Sequence, residues 1–289
     1  MTVDVKRRYR LLLACPDEPG VIFRVSGALA ARHCNIVAFD QHSEGAPGGY
    51  YFMRAEFDAP ERFDARALEA ELAELLPREG TSWRLRARDQ RHRLGVLVSR
   101  EGHCLEELAW QTERGDIDAE IVVVISNHRR LEPIASRFRL PFYVVDVNPA
   151  SKPRSEAQML DILKRYAVDT VVLARYMQIV TDQFIRAYPQ QMINIHHSFL
   201  PAFVGANPYQ QAYERGVKLI GATAHYVTAE LDAGPIIEQD VHRVDHRHQV
   251  EDFKRIGRHV ERMVLARAVS WHVSDRVLPH GNRTIVFPI

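Results

Sequence analysis

At 289 residues, 46% hydrophobic and 26% charged, the chain is long enough for two compact units with separate cores and too apolar for a disordered segment. Its 38 basic and 37 acidic side chains give a formal charge of +1, which removes the electrostatic reason to expect a nucleic-acid partner. The amino-terminal apolar run from Leu11 to Ala14 is too short for a signal peptide or a membrane span, and Cys15, Cys34 and Cys104 are odd in number without a close pair. A soluble cytoplasmic protein with reduced thiols, bound to no membrane, is the expectation.

In chain order, the basic cluster Lys6, Arg7, Arg8 and Arg10 leads into a predicted strand from Arg10 to Ala14. Pro16-Asp17-Glu18-Pro19-Gly20 then turns the chain, and Val21, Val25, Ala28 and Leu29 recur at helical spacing. Two β-rich runs, Asn35 to His42 and Tyr50 to Phe57, flank Gly45-Ala46-Pro47-Gly48-Gly49, a hairpin signature. Leu68, Leu72 and Leu75 mark a second helix, and Ser82 to Leu85 a closing strand. The order βαββαβ over residues 8–88 predicts a small ferredoxin-like sandwich.

After the charged stretch from Arg84 to Arg93, residues 92–289 alternate strand with helix. Strands are expected at Leu94 to Val98, Ile121 to Ile125, Phe142 to Val145, Thr170 to Leu173 and Met192 to Ile195. Helices are expected at Leu105 to Thr112, Leu131 to Phe138 and Ala157 to Tyr166. A longer pair, Ile220 to Val227 and Pro235 to Val241, precedes a helix from Asp252 to Trp271 and a last strand from Thr284 to Phe287. Continuous apolar strands separated by helices imply an α/β domain with an open, mostly parallel, Rossmann-like sheet covered on both faces.

Polar groups concentrate at two places. In Asn194-Ile195-His196-His197-Ser198, the period of two puts Asn194 and His196 on one face at a strand end, where open parallel sheets form their crevice. An amide and an imidazole then converge on one carbonyl oxygen, although hydrogen-bonded structural groups would give the same pattern. The second place holds His225 in an apolar strand and Asp232 in a loop of small residues. Asp232 either caps its own loop or reaches the crevice, where partial burial is expected to raise its pKa and make it a base. No metal is expected: His103-Cys104 and His196-His197 are adjacent pairs that point apart on a strand, and His242, His246 and His248 lie in a charged, solvent-facing segment.

The carboxy-terminal unit resembles the formyl-transferase fold family through Ser99-Arg100-Glu101-Gly102-His103-Cys104-Leu105, Ser126-Asn127-His128, Asn194 to Pro201 and Ile220 to His225. The first unit resembles an ACT domain through Cys15 to Gly20, Asn35-Ile36, Gln41-His42 and Phe52-Met53-Arg54. Together they resemble the formyltetrahydrofolate deformylases, the hydrolytic branch, which implies release of formate from 10-formyltetrahydrofolate, balancing the one-carbon pool that feeds purine biosynthesis. The resemblance marks Asn194, His196 and Asp232 as catalytic, and Tyr176, Met177, Gln178, Ile179, His197, Ser198 and His225 as substrate-binding. It implies no permanently bound cofactor, a homo-oligomer, and glycine or methionine as candidate effectors near Asp17 to Gly20 and Asn35, between copies. The loop Ser99 to Cys104 has one glycine and carries Glu101, which would repel a phosphorylated acceptor, so water is the easier nucleophile. An amine-directed formyltransferase and a non-catalytic folate sensor are the alternatives.

Overall fold

The protein, represented by a computed structural model that describes residues 7–45, 48–77, 79–202 and 208–287, folds as two units. Lys6 of the basic cluster and Ala46 and Pro47 at the predicted hairpin tip lie outside the described residues. The first unit takes residues up to 91 together with Asp275–Leu278 and residues from 285 on; the second takes His92–Ser274 and Pro279–Thr284.

In the first unit, β1 (Arg7–Pro16), α1 (Val21–Ala31), β2 (Asn35–Ser43), β3 (Tyr50–Ala59), α2 (Ala65–Leu75) and β4 (Ser82–Ala87) follow the expected order. The sheet runs β2-β3-β1-β4 and is antiparallel throughout. Asp64 starts α2 by accepting from the backbone N–H groups of Arg66 and Ala67. Leu11 and Leu13 of β1 join Val25, Leu29, Met53, Phe57, Leu68 and Leu72 in one core. Leu12 and Ala14 face the other way and pack with Phe52, Leu278 and Phe287. β1 is therefore buried on both faces, which is why its apolar run is continuous rather than alternating.

The second unit contains β5 (His92–Val98), α3 (His103–Arg114), β6 (Ala119–Ser126), a 3-10 turn (Arg129–Leu131) running into α4 (Glu132–Arg137), β7 (Phe142–Val144), α5 (Lys152–Arg165) and β8 (Thr170–Leu173). Then come α6 (Asp182–Ala187), β9 (Met192–His196), α7 (Pro208–Glu214), β10 (Leu219–Tyr226), β11 (Ile236–Arg243) and α8 (Val250–Val273). After α8 the chain forms a two-stranded sheet of β12 (Val277–His280) and β13 (Arg283–Val286), of which Val277, Leu278, Ile285 and Val286 count with the first unit. The seven-stranded sheet has the order β11-β10-β9-β8-β5-β6-β7. Its β7-to-β9 portion is parallel, and β10 and β11 add antiparallel to that edge.

α5 starts at Lys152 rather than at Ala157, because Pro153 is placed in its first turn, where its missing N–H costs nothing. The short helices α6 and α7 and the strand β12 were not expected. Six or seven residues are too few to show helical periodicity, although Thr181, which accepts from the Phe184 N–H, marks the start of α6.

Candidate active site

The sheet reverses its strand order where β5 lies between β6 and β8, and such a switch opens a crevice at the carboxyl ends of the strands. β8 and β9 end side by side there, with Leu173 opposite Asn194. Across the antiparallel edge, Asn194 pairs with His225 and His196 with Thr223. Register alone thus delivers three polar side chains to one place. Asn194, His196, His225 and Asp232 all border a cavity of about 310 Å³.

His225 is buried at 2% exposure, with Nδ1 2.9 Å from the carbonyl of Tyr226 and Nε2 3.2 Å from Asn194 Nδ2. A carbonyl only accepts, so Nδ1–H donates to it and Nε2 accepts from the Asn194 amide. This fixes the amide's orientation: one N–H goes to His225 and the other remains for a substrate oxygen. His225 is thus a satisfied core histidine that also orients Asn194.

Asp232 has φ of 55°, a left-handed conformation that aspartate tolerates, in a loop drawn tightly against β10. At Gly234 an added Cβ would lie 1.8 Å from the Tyr226 carbonyl oxygen, so no side chain fits there. The loop aims the carboxylate at two histidines rather than at its own backbone. Asp232 Oδ2 lies 3.2 Å from His196 Nδ1, and Oδ1 3.6 Å from His225 Nε2. The expected rise in its pKa is corrected: hydrogen bonding to His196, the largest influence, outweighs burial and holds the carboxyl well below the usual carboxylate range. It stays ionised and is a poor proton acceptor. His196 Nε2, in contrast, is buried with no hydrogen-bond partner among the described residues.

The cavity rim is formed by Met177 and Ile179, 56% and 62% exposed, with Gln178 and Leu231 beside them. Apolar groups left in solvent at a cavity mouth offer walls for a flat ring. Tyr176 borders the cavity but is 6% exposed, with its hydroxyl 3.6 Å from Met159 Sδ in the core. The Met177 N–H donates to Ser99 Oγ, tying the loops after β8 and β5 together. Ser198 does not border this cavity; its hydroxyl donates to the Ala202 carbonyl. His197 does border it, and its ring centroid is 5.3 Å from that of His196. The expectation that the two rings point apart is corrected, because β9 ends at His196 and the strand alternation stops with it.

A buried charged cluster that was not anticipated stands beside the cavity. Glu261 of α8 is fully buried, takes the Tyr209 hydroxyl, and lies 2.8 Å from His103 Nε2 and 3.3 Å from Arg175 Nε. These partners hold its carboxyl below the usual range against the upward push of burial, which is the largest single influence. His103, Cys104 and Glu261 have the donor types of a metal site and lie within 4.8 Å of one another. His103 and Cys104 open a helix rather than a strand, which corrects their expected divergence. However, the Arg175 guanidinium lies 3.3 Å from a Glu261 carboxylate oxygen, and its charge repels a cation. Glu261→Gln would leave Arg175 and His103 facing a neutral amide. Urea unfolding at pH 7 is expected to show a loss of about 3 kcal/mol, as for other buried ion pairs broken on one side.

Residues 92–269 match the formyl transferase family model and residues 9–74 that of the ACT domain. The chain is 50% identical over 279 residues to a formyltetrahydrofolate deformylase of Bacillus subtilis (strain 168), covering 96% of this chain and 93% of that protein. The crystal structure of a formyltetrahydrofolate deformylase from Pseudomonas syringae pv. tomato aligns with a TM-score of 0.93 and 45% identity, covering 99% and 96% of the two chains. A glycinamide ribonucleotide transformylase from Symbiobacterium toebii aligns at a TM-score of 0.64 and 35% identity over only 68% of this chain, but 95% of its own. Full-length coverage thus favours the deformylases over the transferases, and the chain belongs to the formyltetrahydrofolate deformylase family, with an amino-terminal ACT domain joined to a formyl-transferase fold.

Proposed function

We propose that the chain hydrolyses 10-formyltetrahydrofolate to formate and tetrahydrofolate in the cavity of Asn194, His196 and Asp232. The observation that carries this is the unpartnered Nε2 of His196, buried at a cavity wall while Nδ1 faces an ionised carboxylate. Such an arrangement keeps the proton on Nδ1 and leaves Nε2 to take one from water. Asp232 is then the group that orients His196 and stabilises its protonated form, rather than the base itself.

The free N–H of Asn194 donates to the formyl oxygen as attack places negative charge on it. His196 takes a proton from water as the new C–O bond forms, then returns it to the folate nitrogen as the C–N bond breaks. Met177, Gln178, Ile179 and Leu231 hold the pterin ring at the rim. Formate followed by a coupled assay tests this: the parent chain is expected to release one formate per 10-formyltetrahydrofolate with no amine added. Asn194→Ala is expected to lower kcat about 100-fold with a smaller change in KM, because the donor acts on charge that develops during attack. Stoichiometric transfer to an added amine in place of formate release would reject the proposal in favour of a transferase.

In the first unit, a cavity of about 690 Å³ is bordered by Asp17, Gly20, Phe23, Gln41, Ser43 and Tyr51, and we infer that it receives glycine or methionine as an effector. Asn35, expected beside it, does not border it. Phe23, 79% exposed, and Ile22 are the apolar surface a second copy would cover, which supports a homo-oligomer. The free thiols Cys15, Cys34 and Cys104 support a reducing, cytoplasmic setting, in which released formate would supply purine biosynthesis. No helix among the described residues is long and apolar enough to cross a membrane.

A further inference from the structure

His197 follows β9 directly and borders the same cavity as His196, yet neither of its ring nitrogens has a hydrogen-bond partner among the described residues. Its ring lies 6.1 Å from that of Tyr209 between centroids, and the two also border a second cavity of about 290 Å³. Tyr209 is fixed in turn: its hydroxyl donates to Glu261, which also holds His103 and Arg175. The helix α8 makes room for it with Gly257, where an added Cβ would lie 2.0 Å from the Tyr209 hydroxyl oxygen. A part-buried imidazole with both nitrogens uncommitted, in the wall of the cavity that His196 borders and with its ring 5.3 Å from that of His196, is placed to meet a small polar molecule there.

The titratable and charged groups facing His197 are His196 of β9, Asp232 of the loop before β11, Arg175 after β8, Tyr209 of α7 and Glu261 of α8. Burial, and then the Arg175 guanidinium, push its imidazole down to about 4 despite the two carboxylates. It is therefore neutral at any pH at which the enzyme would work, and always offers one acceptor nitrogen.

We propose that His197 holds the attacking water for His196, and so sets water as the preferred nucleophile; this rests on the hydrolytic function proposed above. A water with one O–H on His197 and the other on His196 Nε2 has its lone pairs left for the formyl carbon. As the C–O bond forms, one proton passes from that water to His196. It moves on to the folate nitrogen as the C–N bond breaks, and the second proton stays on the formic acid until it ionises. His197 exchanges no proton at any step.

The test compares His197→Ala, His197→Asn and His197→Gln with the parent chain, following formate with 10-formyltetrahydrofolate alone and formohydroxamate when hydroxylamine is added. His197→Ala is expected to lose about 100-fold in kcat with KM within about threefold, and either amide variant to regain about tenfold by restoring an acceptor. The ratio of formohydroxamate to formate is expected to rise about tenfold in His197→Ala, since hydroxylamine attacks without a held water, a change that loosened packing would not produce. The more active amide variant is expected to keep the parent's kcat–pH profile. A kcat for His197→Ala within about threefold of the parent, or equal slowing with both nucleophiles, would overturn the inference while leaving the hydrolytic function in place. Absence of formate from the parent chain would instead overturn the hydrolytic function on which it rests.

Discussion

His196→Ala is expected to slow formate release by about 10,000-fold, the upper range for removing a group that both takes and returns a proton. The size follows from position. Nε2 is the one imidazole nitrogen of the trio that is buried at the cavity and free of protein hydrogen bonds, and Nδ1 is held 3.2 Å from an ionised carboxylate. Among the described residues no other side chain at the cavity repeats that pairing: Nε2 of His225 is taken by Asn194, and His197 is neutral but a weak base. Single-turnover rates separate the chemical step from product release, and binding of a non-hydrolysable folate analogue should be within about threefold of the parent. A variant that kept more than about a tenth of the parent rate would remove His196 from the proton path.

Asp232→Asn is expected to cost about 1000-fold in kcat while leaving the fold intact. The amide is nearly the same shape, but it can turn its NH₂ toward His196 Nδ1 and favour the tautomer whose Nε2 already carries the proton. It also cannot balance the charge His196 gains. The stability consequence has a definite sign. Because the folded carboxyl lies below its unfolded value, Asp232 stabilises the fold above the ordinary carboxylate range and that contribution fades as pH falls through the folded pKa. Thermal unfolding of the parent should therefore decline more steeply than that of the variant between about pH 5 and pH 2. Parallel declines would mean that His196 does not hold the carboxylate down.

Much of this was legible in the sequence where neighbours in the chain decide the outcome. The glycine-rich segment between β2 and β3 marked the hairpin, and the period of two placed Asn194 and His196 together. What could not be read depends on residues far apart. The second face of β1 is covered by Leu278 and Phe287, from the other end of the chain. Its only local sign was a run of apolar residues without alternation. The direction of β10 and β11 is likewise invisible in their composition, since a buried strand looks alike in either sense. For Asp232 even the sign of the pKa shift lies beyond the sequence, because burial is visible in outline and the His196 imidazole acting on it is not. Glu261 did leave a sign: it is an acidic residue in the apolar stripe of Phe253, Gly257, Val260, Val264 and Ala268, where an unpaired charge is not tolerated.

Hydrolysis at the formyl carbon makes one oxygen of each formate come from water. The most direct measurement is a single turnover of 10-formyltetrahydrofolate by the parent chain in water enriched in the heavy oxygen isotope, with formate analysed by mass. One heavy oxygen per formate, lost together with activity in His196→Ala, is the predicted result. Tetrahydrofolate formed without labelled formate, or formyl transferred intact to another acceptor, would contradict the account.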